Sequence, residues 1–250
     1  MGPTTGVIAA ARRFAKMAAV ALALALTACS RAGLDSLPSA GEAVVVSAEE
    51  DGRIKLADGR RVRLAGVEVA DRTALHRLVA GQAVELLSVG PNPDVVQLRV
   101  KRGRRWVQGE LLQQGLARVR TAPNEAALTG PMLSREAEAR VRSRGLWASR
   151  WRVLTADEAE DARGFQIVEG RVRSAKALRR GVFLDFGDDW REDLSVEVPD
   201  AALDRFAAAG RDPERLQGEL VRVRGRLQPT LNGPLITLDH PEALELLDEH

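Results

Sequence analysis

Between Ala43 and Val67 apolar and polar residues alternate in short runs, and an Asp-Gly pair stands in each of the two gaps between them. Alternation with a period of two sends one face of each run into a core and the other into water, a pattern that a helix cannot satisfy. Asp51-Gly52 and Asp58-Gly59 supply the positive φ angles that tight hairpin turns require. Ala43–Ser47, Arg53–Leu56 and Arg61–Val67 are therefore read as a three-stranded meander. Thr73–Val79 follows as a short helix ended by Gly81, and Ala83–Ser88 and Val95–Val100 as a further strand pair. Arg104–Val107 extends that pair past a turn at Gly103. Two helices close the first half. Gln108–Gln114 turns Leu111 and Leu112 inward and ends at Gly115. A second begins at Pro131 and carries Leu133, Ala137 and Val141 on one face as far as Gly145.

The pattern then repeats. Thr155-Ala-Asp-Glu158 has the spacing of a capping box, which makes residues 151–164 a linker with a short helix. Strands are expected near Phe165–Arg173, Gly181–Phe186 and Leu194–Val198, then a helix over Asp200–Ala208 with Leu203 and Phe206 inward. Further strands are expected near Leu220–Leu227 and Pro234–Leu238. Pro241–Leu247 reads equally as a strand extension or a terminal helix. The expected fold is mainly β with short helices (α+β): two tandem five-stranded barrels of the oligonucleotide-binding type, at residues 42–150 and 165–250.

Arg12, Arg13 and Lys16 precede an apolar run from Met17 to Leu26, and Leu26-Thr27-Ala28-Cys29 closes it. The run is too short to span a bilayer and has the anatomy of an export signal over residues 1–28. Ending in Leu-Thr-Ala-Cys, it resembles a bacterial lipoprotein signal, which implies an acylated Cys29 as the first mature residue and a membrane partner through its lipid. The alternative is an ordinary signal peptide with Cys29 incidental. Residues 29–41 then form a polar tether, and the expected location is the cell envelope, on an outer membrane and facing the periplasm. Cys29 is the only cysteine, so no intramolecular disulfide can form and packing must stabilise both barrels. His76, His240 and His250 lie far apart in sequence, which gives no zinc-ligand spacing. Residues 29–164 hold 22 basic and 18 acidic residues, against 12 and 17 in residues 165–250. The basic half permits a nucleic-acid partner, and the acidic half better suits a protein partner.

Residues 42–150 contain, in this order, Asp58-Gly-Arg-Arg-Val-Arg-Leu-Ala-Gly-Val-Glu68, Glu110-Leu-Leu-Gln-Gln-Gly-Leu-Ala-Arg-Val119, Glu136-Ala-Glu-Ala-Arg140 and Arg144-Gly-Leu-Trp147-Ala. By these blocks the stretch resembles the thermonuclease (staphylococcal nuclease-like) family. The resemblance implies calcium-dependent hydrolysis of DNA or RNA phosphodiesters. A carboxylate-held Ca²⁺ polarises the phosphate, a glutamate activates water, and two arginines stabilise the developing charge. Carried over residue by residue, Arg63 keeps the first guanidinium, Glu68 is the candidate metal ligand, and Asp71 stands where the catalytic glutamate belongs. The second hairpin carboxylate falls on Gly52 and the second arginine on Val95.

Losing one arginine and one ligand predicts a weak or inactive nuclease relative reused for binding. The alternatives are an active calcium-dependent nuclease and an envelope assembly factor with no nucleic-acid role. Arg99, Arg102, Arg104 and Arg105, with Trp106 among them, form the candidate nucleic-acid surface, or else a solvated hairpin. The second half resembles, less specifically, a C-terminal module of nuclease-like envelope proteins through Val168-Glu-Gly-Arg-Val172, Phe183-Leu-Asp-Phe-Gly187, Val221-Arg-Val-Arg-Gly-Arg226 and Asn232-Gly-Pro-Leu235. Its Asp188-Asp189-Trp190-Arg191 turn offers an aromatic and two acids on one loop.

Overall fold

The computed structural model describes residues 33–189 and 191–247. The basic and apolar leader, Cys29 and Trp190 lie outside the described residues. From Leu34 onward the described residues form one compact unit, mainly β with short helices.

The first half runs β1 (Ser39–Ala48), β2 (Arg53–Leu56), β3 (Arg61–Leu64), β4 (Val67–Val69), α1 (Arg72–Val79), β5 (Ala83–Ser88), β6 (Val95–Val100), β7 (Arg105–Trp106), α2 (Val107–Gln113), β8 (Ala117–Val119) and α3 (Thr129–Val141). Strands β2 and β3 alternate exposed and buried residues as the period of two demands. Neighbours follow the order β3-β2-β1-β5-β6-β7, and β3 also pairs in parallel with β6, Arg63 opposite Val95. The five strands β1, β2, β3, β6 and β5 thus close into a ring. Ile54, Leu56, Val62, Leu64, Leu86, Val96 and Leu98 fill it and are at most 2% exposed.

The third alternating run does not continue to Val67 as one strand. It stops at Leu64, turns at Gly66, and restarts as β4, which leaves the ring to pair with β8. The segment read as a tether also belongs to the fold from Leu34 onward. Leu34–Ser36 is a 3₁₀ turn, and β1 already starts at Ser39. Helix α3 begins at Thr129, so Pro131 sits in its first turn, where a missing N–H does no harm. Its buried face is Met132, Glu136 and Ala139, whereas Val141 is 82% exposed. An apolar stripe could not announce that face because its central member is a carboxylate.

The second half runs β9 (Leu154–Thr155), β10 (Gly164–Arg171), β11 (Ser174–Leu178), β12 (Gly181–Asp185), β13 (Ser195–Pro199), α4 (Asp200–Ala208), β14 (Leu220–Thr230), β15 (Gly233–Thr237) and β16 (Leu244–Leu246). The sheet path is β11-β12-β13-β15-β14-β10-β9, with β16 on the side of β14. Because β10 and β11 are successive pieces of one stretch of chain, the path returns to where it began. Both halves share one winding. The first strand pairs with the second and fourth, the third pairs in parallel with the fifth, and a helix separates third from fourth. The capping box forms at Thr155 and Glu158, but it opens a single 3₁₀ turn, and β9 lies parallel on β10. Pro241–Ala243 is a 3₁₀ turn leading into β16, a separate strand on β14, so the segment neither extends β15 nor forms a terminal helix.

The two halves meet along one face of β10 and β14. Ile167 packs with Ala139 and Trp147 in a small apolar cluster. Beside it the Arg224 side chain, 1% exposed, lies 2.8 Å from Glu136 of α3 and 2.8 Å from Glu245 of β16. Arg224 also donates to the Val119 carbonyl at 3.3 Å, while the Val119 N–H donates to Glu136 at 2.7 Å. Burial works against the arginine's charge, but the two carboxylates outweigh it and hold its pKa above the ordinary value. Across the same seam, the Thr121 hydroxyl and His240 Nε2 are 2.6 Å apart.

Candidate functional site

Arg63 points outward from the end of β3, in register with Val95 of β6. Strand pairing fixes that juxtaposition, so the position opposite Arg63 carries a buried aliphatic, 6% exposed, where a second guanidinium would be needed. The Arg63 fork is taken by Glu125, which approaches from the loop after β8. Nη1 donates to Oε2 at 3.2 Å, and Nη2 makes a second, short bond to Oε1. The Gly66 N–H reaches the same Oε2 at 3.4 Å. A guanidinium plus a main-chain N–H is the donor set that recognises an oxyanion. Here the chain's own carboxylate, only 12% exposed, fills it.

Glu68 lies on β4 directly across from Arg118 of β8. Arg118 Nε donates to its carboxylate at 2.7 Å, and Arg120 approaches the other oxygen at 3.9 Å. Asp71 is the N-cap of α1, and its Oδ1 accepts from the Ala74 N–H at 2.8 Å. Glu68 and Asp71 line one cavity, but Arg63 is not among its walls. At the first hairpin, Asp51 accepts from the Arg53 N–H at 2.9 Å, and Glu49 pairs with Arg61 at 3.2 Å. Glu68, Asp71, Asp51 and Glu49 are thus each committed to an arginine or a backbone N–H. Among the described residues, no three carboxylate, imidazole or thiol groups gather closely enough to hold a metal ion. The donor set does not fit calcium, which needs six or more oxygens around one point.

The basic hairpin is divided: Arg99 is buried, whereas Arg102 and Arg104 stay exposed. Arg99 is 6% exposed and is bonded to Asp35, with its Nε 3.2 Å from Glu85. It pins the 3₁₀ turn at Leu34–Ser36 to the ring and is unavailable to a nucleic acid. The hydrogen bond from Arg99 and its charge hold the Asp35 carboxyl below the usual aspartate range. Arg104 also reaches Asp35, at 2.8 Å, and Arg105 grips Glu110 at 2.8 and 3.1 Å. Arg102 is exposed in the turn between β6 and β7. Trp106 donates to Gln97 at 2.8 Å beneath the Arg135 guanidinium, so it covers the end of the ring. Cys29 lies outside the described residues.

Sequence reasoning missed most of the residues that surround the cavity lined by Glu68 and Asp71. The cavity measures about 630 Å³ and lies where β4, the start of α1, β8 and the chain after α3 converge. Arg72, Arg118, Arg150 and Trp151 line it alongside Glu68 and Asp71. Arg118 carries a tier of rings, its guanidinium 5.4 Å from the centre of Trp151 and 4.7 Å from that of Phe165. Trp151 meets Trp147 edge-on at 5.5 Å. Only the Arg-rich spacing 150–152 beside a tryptophan could have hinted at this, and the β4–β8 pair that assembles it was not expected. The chain matches no family model, and no curated protein matches it either.

Proposed function

We propose that the chain is a lipid-tethered envelope protein built from two oligonucleotide-binding-type barrels. In it a thermonuclease-like domain serves as a binding module with its hydrolytic apparatus dismantled. The observation that carries this reading is the Arg63–Glu125 pair. Phosphodiester hydrolysis of the kind the resemblance implies uses a guanidinium free to meet charge as it builds on the phosphoryl oxygens, and a bidentate carboxylate competes for that guanidinium directly. Val95 opposite Arg63, the helix-capping duty of Asp71 and the pairing of Glu68 with Arg118 support the same reading.

The barrel assignment draws on the shared strand order of the two halves, which matches that small-barrel class. The tether rests on the basic, apolar and Leu-Thr-Ala-Cys sequence of the leader. Cys29→Ser should move the protein from the membrane to the soluble fraction, and unchanged membrane association would refute the anchor.

The test of function is incubation of leader-free protein with single-stranded DNA and RNA, first in millimolar calcium and then in chelator. Both substrates should remain intact. Cleavage that needs calcium and disappears in Arg63→Ala would overturn the reading, because Arg63 would then have to exchange Glu125 for substrate.

A further inference from the structure

The cavity beside β4 has a charge pattern that the fold does not use. Three guanidiniums, from Arg72, Arg118 and Arg150, face two carboxylates, and both carboxylates are engaged: Glu68 by Arg118, Asp71 by the Ala74 N–H. Arg72 and Arg150 are exposed, and among the described residues no carboxylate pairs with either. Arg118 is held in place from three sides, by Glu68 and by the rings of Trp151 and Phe165. Trp151 is half-buried and lines the wall. Arg120 continues the stack outward, 5.4 Å from the Phe165 ring, and Arg226 lies opposite Phe165 in the β10–β14 register. A flat aromatic wall flanked by uncompensated planar cations is a complement for a ligand with both a π-face and an oxyanion.

We propose that this cavity binds a phosphate carried on an aromatic heterocycle. Arg72 and Arg150 take the phosphate, and Trp151 takes the ring. The assignment rests on the binding-module reading above and names its ligand class. It places that ligand away from Arg63, whose donors Glu125 already occupies. The two arginines come from separate parts of the chain, one from the start of α1 and one from the crossing into the second half. The site therefore exists only when β4, β8 and residues 146–151 are assembled together.

Adenosine 5′-monophosphate titrated into leader-free protein at low salt is the probe, followed by tryptophan fluorescence and by calorimetry. Saturable binding is expected, weakening as salt rises. Arg72→Ala/Arg150→Ala should lose on the order of tenfold or more in affinity, and Arg150→Lys should recover part of it. Both arginines are exposed, so these variants keep the fold, and their melting curves verify that. Arg63→Ala should bind as the parent does.

Adenosine alone, or inorganic phosphate alone, binding as tightly as the nucleotide would overturn the proposal, because one of its two halves would then be idle. Loss of binding in Arg63→Ala but not in the double variant would overturn it too, as would no saturable binding. A 5′-phosphorylated trinucleotide separates the two sources of this chemistry: equal affinity marks a free nucleotide, and much tighter binding marks a strand end. Calcium-dependent cleavage by the parent protein would refute the binding-module reading while leaving a positive titration, and its loss in the double variant, in place.

Discussion

Replacing Arg224 with methionine is the sharpest test of how the two halves hold together. Methionine has a similar reach but no charge, so Glu136, whose side chain is 1% exposed, would keep a buried negative charge without its cation. Breaking a buried pair from one side costs about 3–5 kcal/mol, more than the pair's net contribution, because the remaining ion stays desolvated. The lost bond to the Val119 carbonyl adds to this, although Glu136 retains the Val119 N–H at 2.7 Å. Glu245 suffers less, since Arg222 already stands 3.3 Å away. For a chain of this size each kcal/mol shifts the melting temperature by about 2–4 °C, so Arg224→Met should melt roughly 6–20 °C below the parent.

The companion variant Arg224→Met/Glu136→Gln removes both charges. It should regain on the order of 1–3 kcal/mol relative to the sum of the single changes. Thermal and urea denaturation monitored by circular dichroism would measure all four members of the cycle. A single variant within about 1 kcal/mol of the parent, or a double variant equal to that sum, would refute the account of a compensated buried charge.

Other consequences can be measured separately. Asp185 is 5% exposed and accepts from Lys176, Ser174 and Ser195, each at 2.9 Å. Burial favours its neutral form, but these bonds outweigh it and hold its pKa below 3.8. Its stabilisation is therefore complete above the unfolded pKa and is lost as pH falls through the lower folded value. Asp185→Asn should cost about 1–3 kcal/mol at pH 7, and the gap to the parent should narrow in melts below about pH 4. Asp71→Ala should cost about 1 kcal/mol through the lost helix cap; a much larger cost in the apoprotein would mean that Asp71 does more than cap α1. Gly115 has a φ of +69°, and a Cβ there would sit 2.1 Å from the Arg144 carbonyl oxygen. Gly115→Ala should therefore lose at least about 2 kcal/mol in a urea titration, and a near-neutral result would show that the α2–α3 approach can relax.

The local patterns were legible and the long-range charge pairing was not. The Asp-Gly turns and alternating runs placed β2 to the residue and the start of β3, and α4 was found over its full length, because these depend on neighbours in sequence. Arg99 looked like one more cation in a solvated hairpin. Its burial depends on Asp35, 64 residues earlier, folding back over β6. Glu125 carried no signal at all, since a lone glutamate in a loop says nothing until β3 and the loop after β8 are brought together. The stripe through Leu133, Ala137 and Val141 was displaced for a related reason: Glu136 can face inward only because Arg224, from the other half, meets it there. The shared winding of the two halves, by contrast, could be anticipated from the order of strands and helices alone.

Glu136 also sets a condition on how the molecule is made. A ribosome delivers α3 well before β14 and β16, so the first ring can close while Glu136 has the Val119 N–H and the charge of Arg140, one turn on in α3, but not Arg224. A nascent first half therefore carries a buried acid awaiting its counter-ion, and the last strands complete the first half as well as their own. Chains shortened before Leu244 would leave Arg224 with a single carboxylate and would feel the loss in α3, far from the cut.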